Sequence, residues 1–144
     1  MIDKLIGEQA TTWIDKTKNV AFGFLIILLW ATVFSAVWGL MSQQGFYYSP
    51  GKEFFLSCLW APVWEEAVFR WAPLEIGKKL GKEFIMPVII ISSAIFGWAH
   101  GMGPVSLLVQ GMMGMVMSWV YLKNNSYVSV VILHALWNIY CFLL

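Results

Sequence analysis

The stretch "VAFGFLIILLWATVFSAVWGLMS", residues 20–42, contains no charged side chain. At 1.5 Å of rise per residue it makes a helix of about 34 Å, enough to cross the hydrocarbon core of a bilayer. It sits in a chain of 144 residues that is 60% hydrophobic and only 12% charged. A soluble domain carries about 25% charged residues. The class that follows is an all-α integral membrane protein. A barrel is excluded because the apolar runs are continuous and do not alternate.

The same character recurs along the chain. A polar loop, "QQGFYYSPGK", follows the first run, and a second apolar segment begins near Glu53. After the basic loop "EIGKKLGKE" come three more runs, about 84–99, 104–122 and 127–144. The connections "GMG" and "KNNS" are short, so these helices are expected as antiparallel neighbours. The expected architecture is a bundle of about five transmembrane helices over residues 20–144. Residues 1–19 place Ile2, Leu5, Ile6 and Trp13 at near-helical spacing among Lys4, Asp15, Lys16 and Lys18. They read as an interfacial amphipathic helix.

Lys4, Lys16, Lys18, Lys78, Lys79, Lys82 and Lys123 fall on one side of this five-span arrangement, against Lys52 on the other. The positive-inside rule then puts the amino terminus in the cytoplasm and the carboxyl terminus outside, in a cytoplasmic (inner) membrane. Net charge is +1 and the basic residues form no stripe, so nucleic acid is excluded as a partner. Cys58 and Cys141 lie in apolar segments without metal-like spacing and read as reduced packing residues.

The second segment carries "WEEAVFR", residues 64–70. A charge at the centre of a spanning helix costs about 2.5–3.5 kcal/mol, so Glu65, Glu66 and Arg70 need partners or a wet cavity. Glu66 and Arg70 are four apart, in the favoured acid-before-base order, and read as an ion pair bracing the bundle. Glu65 has no basic neighbour on its own face. His100, His134 and Asn138 supply candidate partners on two other helices, and His134 and Asn138 share a face. These groups meet in depth if the second helix continues toward 77–81 and the third begins near Pro87. Ser93, Gly97 and Gly101, and Ser106, Gln110, Gly114 and Ser118, form small-residue stripes suited to close helix packing. Gln110 is expected to make an interhelical hydrogen bond.

Glutamate with histidine can activate water against an amide, and His134 with Asn138 can supply donors to the resulting oxyanion. A Glu65–His100–His134 metal site, with a divalent ion such as zinc, is the other chemical option; no HExxH motif supports it. Other classes use the same polar cluster differently. One is a non-catalytic membrane immunity or assembly factor, and another is a small proton-coupled transporter. The missing inverted repeat argues against the transporter.

"EEAVFR", "FGWAH" and "HALWN" fit EExxxR, FxxxH and HxxxN in that order. Over residues 53–144 the chain resembles the CAAX-protease and bacteriocin-processing family (CPBP, also called Abi) of intramembrane proteases. The resemblance implies an endopeptidase that cuts a peptide or membrane-anchored protein near the cytoplasmic face. It implies Glu65 as base with His100 on water, His134 and Asn138 on the oxyanion side, and Glu66 and Arg70 in support. The family is described both as metal-dependent and as metal-free, and this chain resembles a reduced core of it.

Overall fold

The structure, a computed structural model, describes residues 8–39, 52–101 and 103–143. Among the described residues it holds five helices and no strand. Helix α1 is Trp13–Gly39. Helix α2 is a continuous rod of five pieces: Lys52–Phe55, Leu56–Trp60, Ala61–Glu66, Ala67–Trp71 and Ala72–Leu80. A short 3₁₀ turn, Lys82–Phe84, leads to α3, Ile85–Ala99. Helices α4, Pro104–Asn124, and α5, Tyr127–Leu143, complete the bundle.

Trp13–Phe34, Lys82–Ala99 and Pro104–Asn124 are each long and apolar enough to cross a membrane; α5 is apolar but shorter. Helix α4 is central. Ile27 of α1, Leu74 of α2, Ile89 of α3 and Leu133 of α5 join its Met117 and Val120 in one buried core. The outer face of α1 exposes Phe22, Leu25, Leu29 and Val33, spaced three and four apart. Such a face is costly in water and at home against lipid.

Local chemistry sets the helix ends. The Thr12 hydroxyl accepts the Asp15 N–H at 3.1 Å and donates to the Asp15 carboxylate at 2.7 Å, capping α1. Of the interfacial helix expected over residues 1–19, residues 1–7 lie outside the described residues. Residues 8–12 are not helical, and Trp13–Asn19 run straight into the span. The 43–51 loop with Tyr47 and Tyr48 is also outside the described residues. Gly81, at φ 138°, ends α2 in a conformation that suits glycine. As anticipated, α2 runs on to Leu80, and Pro87 lies in the first turn of α3.

Lys16, Lys78 and Lys123 gather at one end of the bundle. Ala10 N–H donates to the Lys123 carbonyl at 2.9 Å, and Lys78 Nζ donates to Asn125 at 2.9 Å. Asn124, fully buried, accepts from Asn19 at 2.7 Å and donates to the Lys16 carbonyl at 3.0 Å. These bonds pin α1 and α2 to the α4–α5 turn. At the other end Phe54 and Phe142 meet edge to face, so α2 and α5 run antiparallel. Cys58 and Cys141 are both free thiols.

Candidate active site

The site is built on an irregular helix. Leu56–Trp60 and Ala67–Trp71 are π-turns, each closed by an N–H bonding the carbonyl five residues back: Ala61 to Leu56 and Ala72 to Ala67. Each of these last donors directly precedes a proline, Pro62 and Pro73. Proline has no N–H, so the α-ladder cannot run through it unbroken, and π-turns commonly mark functional sites. The paired signal is visible in the sequence as Trp60-Ala61-Pro62 and Trp71-Ala72-Pro73, flanking the two glutamates. Apolar periodicity alone does not reveal it.

Between the two prolines stand Glu65 and Glu66. Glu66 and Arg70 are both fully buried, with Arg70 Nε 3.5 Å from Glu66 Oε2. This is the expected i,i+4 pair. Arg70 also lies over the Phe96 ring, 4.0 Å from its centroid, and reaches Met117 Sδ at 3.9 Å. The other Glu66 oxygen, Oε1, is 2.7 Å from His134 Nδ1. Held by Arg70, the carboxylate is the acceptor, so Nδ1 carries a proton and Nε2 is the nitrogen turned toward the site.

His100 is arranged the same way. Its Nδ1 donates to the Phe96 carbonyl at 2.8 Å, leaving Nε2 as the lone-pair nitrogen. Both Nε2 atoms face one oxygen, Glu65 Oε2, at 4.0 Å from His100 and 3.8 Å from His134. That oxygen is buried and has no hydrogen-bond partner among the described residues. Three polar atoms therefore converge at distances too long for direct hydrogen bonds. A donor with two protons, placed between them, satisfies the carboxylate and one imidazole together. The Glu65 and His100 side chains are about a quarter to a third exposed, while His134 is closed off, so the site opens on the His100 side.

The donor types also suit a metal, with Glu66 and the Phe96 carbonyl as outer partners of the two imidazoles. The spacing does not. Zinc bonds of about 2.0–2.1 Å in a tetrahedron place neighbouring ligand atoms roughly 3.3 Å apart. The separations here are 3.8 and 4.0 Å, and no group of three metal-binding side chains is close enough among the described residues. The arrangement fits a water-sized occupant better than an ion.

Phe96 joins the parts. Its ring packs edge on to His100 at 4.5 Å and to His134 at 5.8 Å, under the Arg70 guanidinium. The FxxxH spacing puts its carbonyl one turn before His100, which is how it comes to hold Nδ1. Two polar residues expected near the cluster are committed elsewhere or left open. Asn138 Nδ2 donates to the Ser57 carbonyl at 2.7 Å, and not to Glu65 or either histidine. Of the Gln110 side chain, expected to bond another helix, the oxygen is buried without a partner among the described residues. Tyr127, at the start of α5, donates its hydroxyl to the Val63 carbonyl, just ahead of the glutamates.

The α3–α4 contact brings the His100 end of α3 into place. A Cβ at Gly97 would lie 2.9 Å from Gly111 N and 2.9 Å from the Ser106 carbonyl. A Cβ at Gly114 would lie 2.7 Å from the Arg70 guanidinium. These two glycines fulfil the small-residue expectation. Gly101 does not belong with them: it meets nothing within 4 Å and serves its φ of 77°.

A family model described as "Type II CAAX prenyl endopeptidase Rce1-like" matches residues 48–140. No curated protein matches the chain, and no solved structure does.

Proposed function

Because the chain belongs to the Rce1-like family of type II CAAX prenyl endopeptidases, we propose that it hydrolyses a peptide bond of a membrane-anchored substrate with a water held by Glu65 and His100. The observation that carries this reading is the unpartnered Glu65 Oε2, facing two imidazole Nε2 atoms at 3.8 and 4.0 Å. A water there donates one proton to Glu65 and the other to His100. Its lone pair is then free to attack a carbonyl carbon.

Glu65 takes the proton as the oxygen–carbon bond forms. The carbonyl becomes an oxyanion, and His134, which has taken a proton from solvent at Nε2 before the attack and keeps it afterwards, donates a hydrogen bond to it. Glu66 supports that charged form through Nδ1 at 2.7 Å. The carbon–nitrogen bond then breaks, and the proton held by Glu65 passes to the leaving amine. The products are a new carboxyl end and a free amino end, with no covalent enzyme intermediate. This reading takes no step through a metal.

The basic end of the bundle supports a cytoplasmic placement of the α2–α3 and α4–α5 connections in the inner membrane. The test of function is cleavage by the purified full chain in lipid vesicles, with farnesylated and unmodified tail peptides offered side by side. Cleavage that is lost in Glu65→Gln and His100→Ala and survives a strong chelator supports the proposal. Undiminished cleavage in both variants overturns the site. Loss with chelator, restored by zinc, overturns the metal-free mechanism. A wild-type protein that cleaves nothing, with a cellular phenotype kept in Glu65→Gln, favours a non-catalytic role.

A further inference from the structure

Asn138 lies one turn beyond His134 on α5, and its side chain ends at a backbone atom of α2. Its acceptor, the Ser57 carbonyl, lies inside the first π-turn. In that register each N–H bonds the carbonyl five residues back, as Ala61 does to Leu56. The next bond in the series runs from residue 62 to Ser57. Residue 62 is proline, buried and without an N–H. A carbonyl left open in an apolar bundle is costly, and membrane helices with proline recruit side chains to fill the gap.

We infer that Asn138 is a positioning residue that stands in for the missing N–H of Pro62. It closes the first π-turn from the neighbouring helix and so fixes the rotation of α2 at Glu65, three residues further on. The carbonyl must receive a proton, so the bond is made by the amide NH₂. One N–H of that amide is engaged at 2.7 Å; the second remains on the same helix face as His134. The catalytic part of this inference rests on Glu65 being the base; the structural part does not.

The relationship has a specific signature. If Asn138 substitutes for an N–H, restoring that N–H makes Asn138 dispensable. The experiment is a cycle of Pro62→Ala, Asn138→Ala and the double variant in the full chain, reading both thermal unfolding in detergent and cleavage in vesicles. Asn138→Ala alone should lower the unfolding midpoint and reduce kcat tenfold or more, with KM within about threefold. The double variant should recover the midpoint and kcat to within about threefold of Pro62→Ala. A double variant as inactive as Asn138→Ala, with additive effects on the midpoint, overturns the inference and assigns Asn138 to the substrate.

Should the two proteins carrying Pro62→Ala fail to accumulate, Asn138→Asp in the chain that keeps Pro62 decides. It keeps the shape but offers no N–H. Parallel losses of midpoint and kcat support positioning, and loss of kcat at an unchanged midpoint overturns it. The two readings fail separately. A wild-type chain without cleavage refutes the proposed reaction, while the midpoint cycle still tests the Pro62–Asn138 coupling.

Discussion

Glu66 Oε1 and His134 Nδ1 stand 2.7 Å apart, the shortest link between the glutamate pair and either histidine. The second glutamate is thus locked on both sides, by Arg70 and by His134, while the first has no such partner. The two should respond oppositely to the same conservative change. Glu66→Gln leaves a fully buried arginine without its counter-charge and should destabilise the protein by about 3–5 kcal/mol. Glu65→Gln should change stability by less than about 1 kcal/mol and reduce cleavage by roughly 10²–10⁴-fold. Thermal unfolding in detergent, read beside a cleavage assay, separates them. Equal destabilisation by both variants would show that Glu65 is structural.

Gly114→Ala places a methyl 2.7 Å from the Arg70 guanidinium. The guanidinium can shift, so the expected loss is about 1–3 kcal/mol, with cleavage reduced because Arg70 carries Glu66 and His134 with it. Gly97→Ala meets backbone atoms of α4 at 2.9 Å, which cannot step aside. It should be the more damaging of the two, and a ranking of their unfolding midpoints checks this.

Phe96 is 2% exposed and touches both histidines and Arg70 through its ring. Phe96→Ala should cost about 3–5 kcal/mol. Phe96→Leu keeps the carbonyl that holds His100 and most of the volume. It should therefore fold and lose activity chiefly by loosening His134 and Arg70. Cleavage at wild-type level in Phe96→Leu would show that the ring is packing only.

In a chain with Cys58 and Cys141 replaced by serine, single cysteines at Lys79 and Leu143 should label from opposite faces of the membrane. The Lys79 position should react from the cytoplasmic side. Labelling of that position from outside would reverse the proposed orientation.

Much of this was readable from residue order. The helical class, the extension of α2 toward 77–81, the small-residue contact at Gly97 and the Glu66–Arg70 pair follow from length, hydropathy and i,i+4 spacing, all read along one segment at a time. The three motifs also marked Glu65, Glu66, Arg70, His100 and His134, which meet, but not where Asn138 goes. Spacing along a helix says nothing of which distant group closes on which, so the tighter histidine contact fell to Glu66, while Glu65 faces both imidazoles at longer range. Asn138 shares a helix face with His134, as its spacing requires, but its partner is a carbonyl released by Pro62. Side-chain pattern does not encode that, because the acceptor is backbone.

The two π-turns of α2 make chain length itself part of the site. Each accommodates one residue more than an α-turn, and one residue is worth about 100° of rotation about the helix axis. Loss of a single residue from 56–60 or 67–71 would remove the extra residue of that turn. One side of the helix would then swing by more than a quarter circle relative to the other. The glutamates can face α5 while the two ends of the rod keep their own contacts only because both supernumerary residues are present. Along this helix a deletion that removes no functional group is expected to be as damaging as the loss of Glu65.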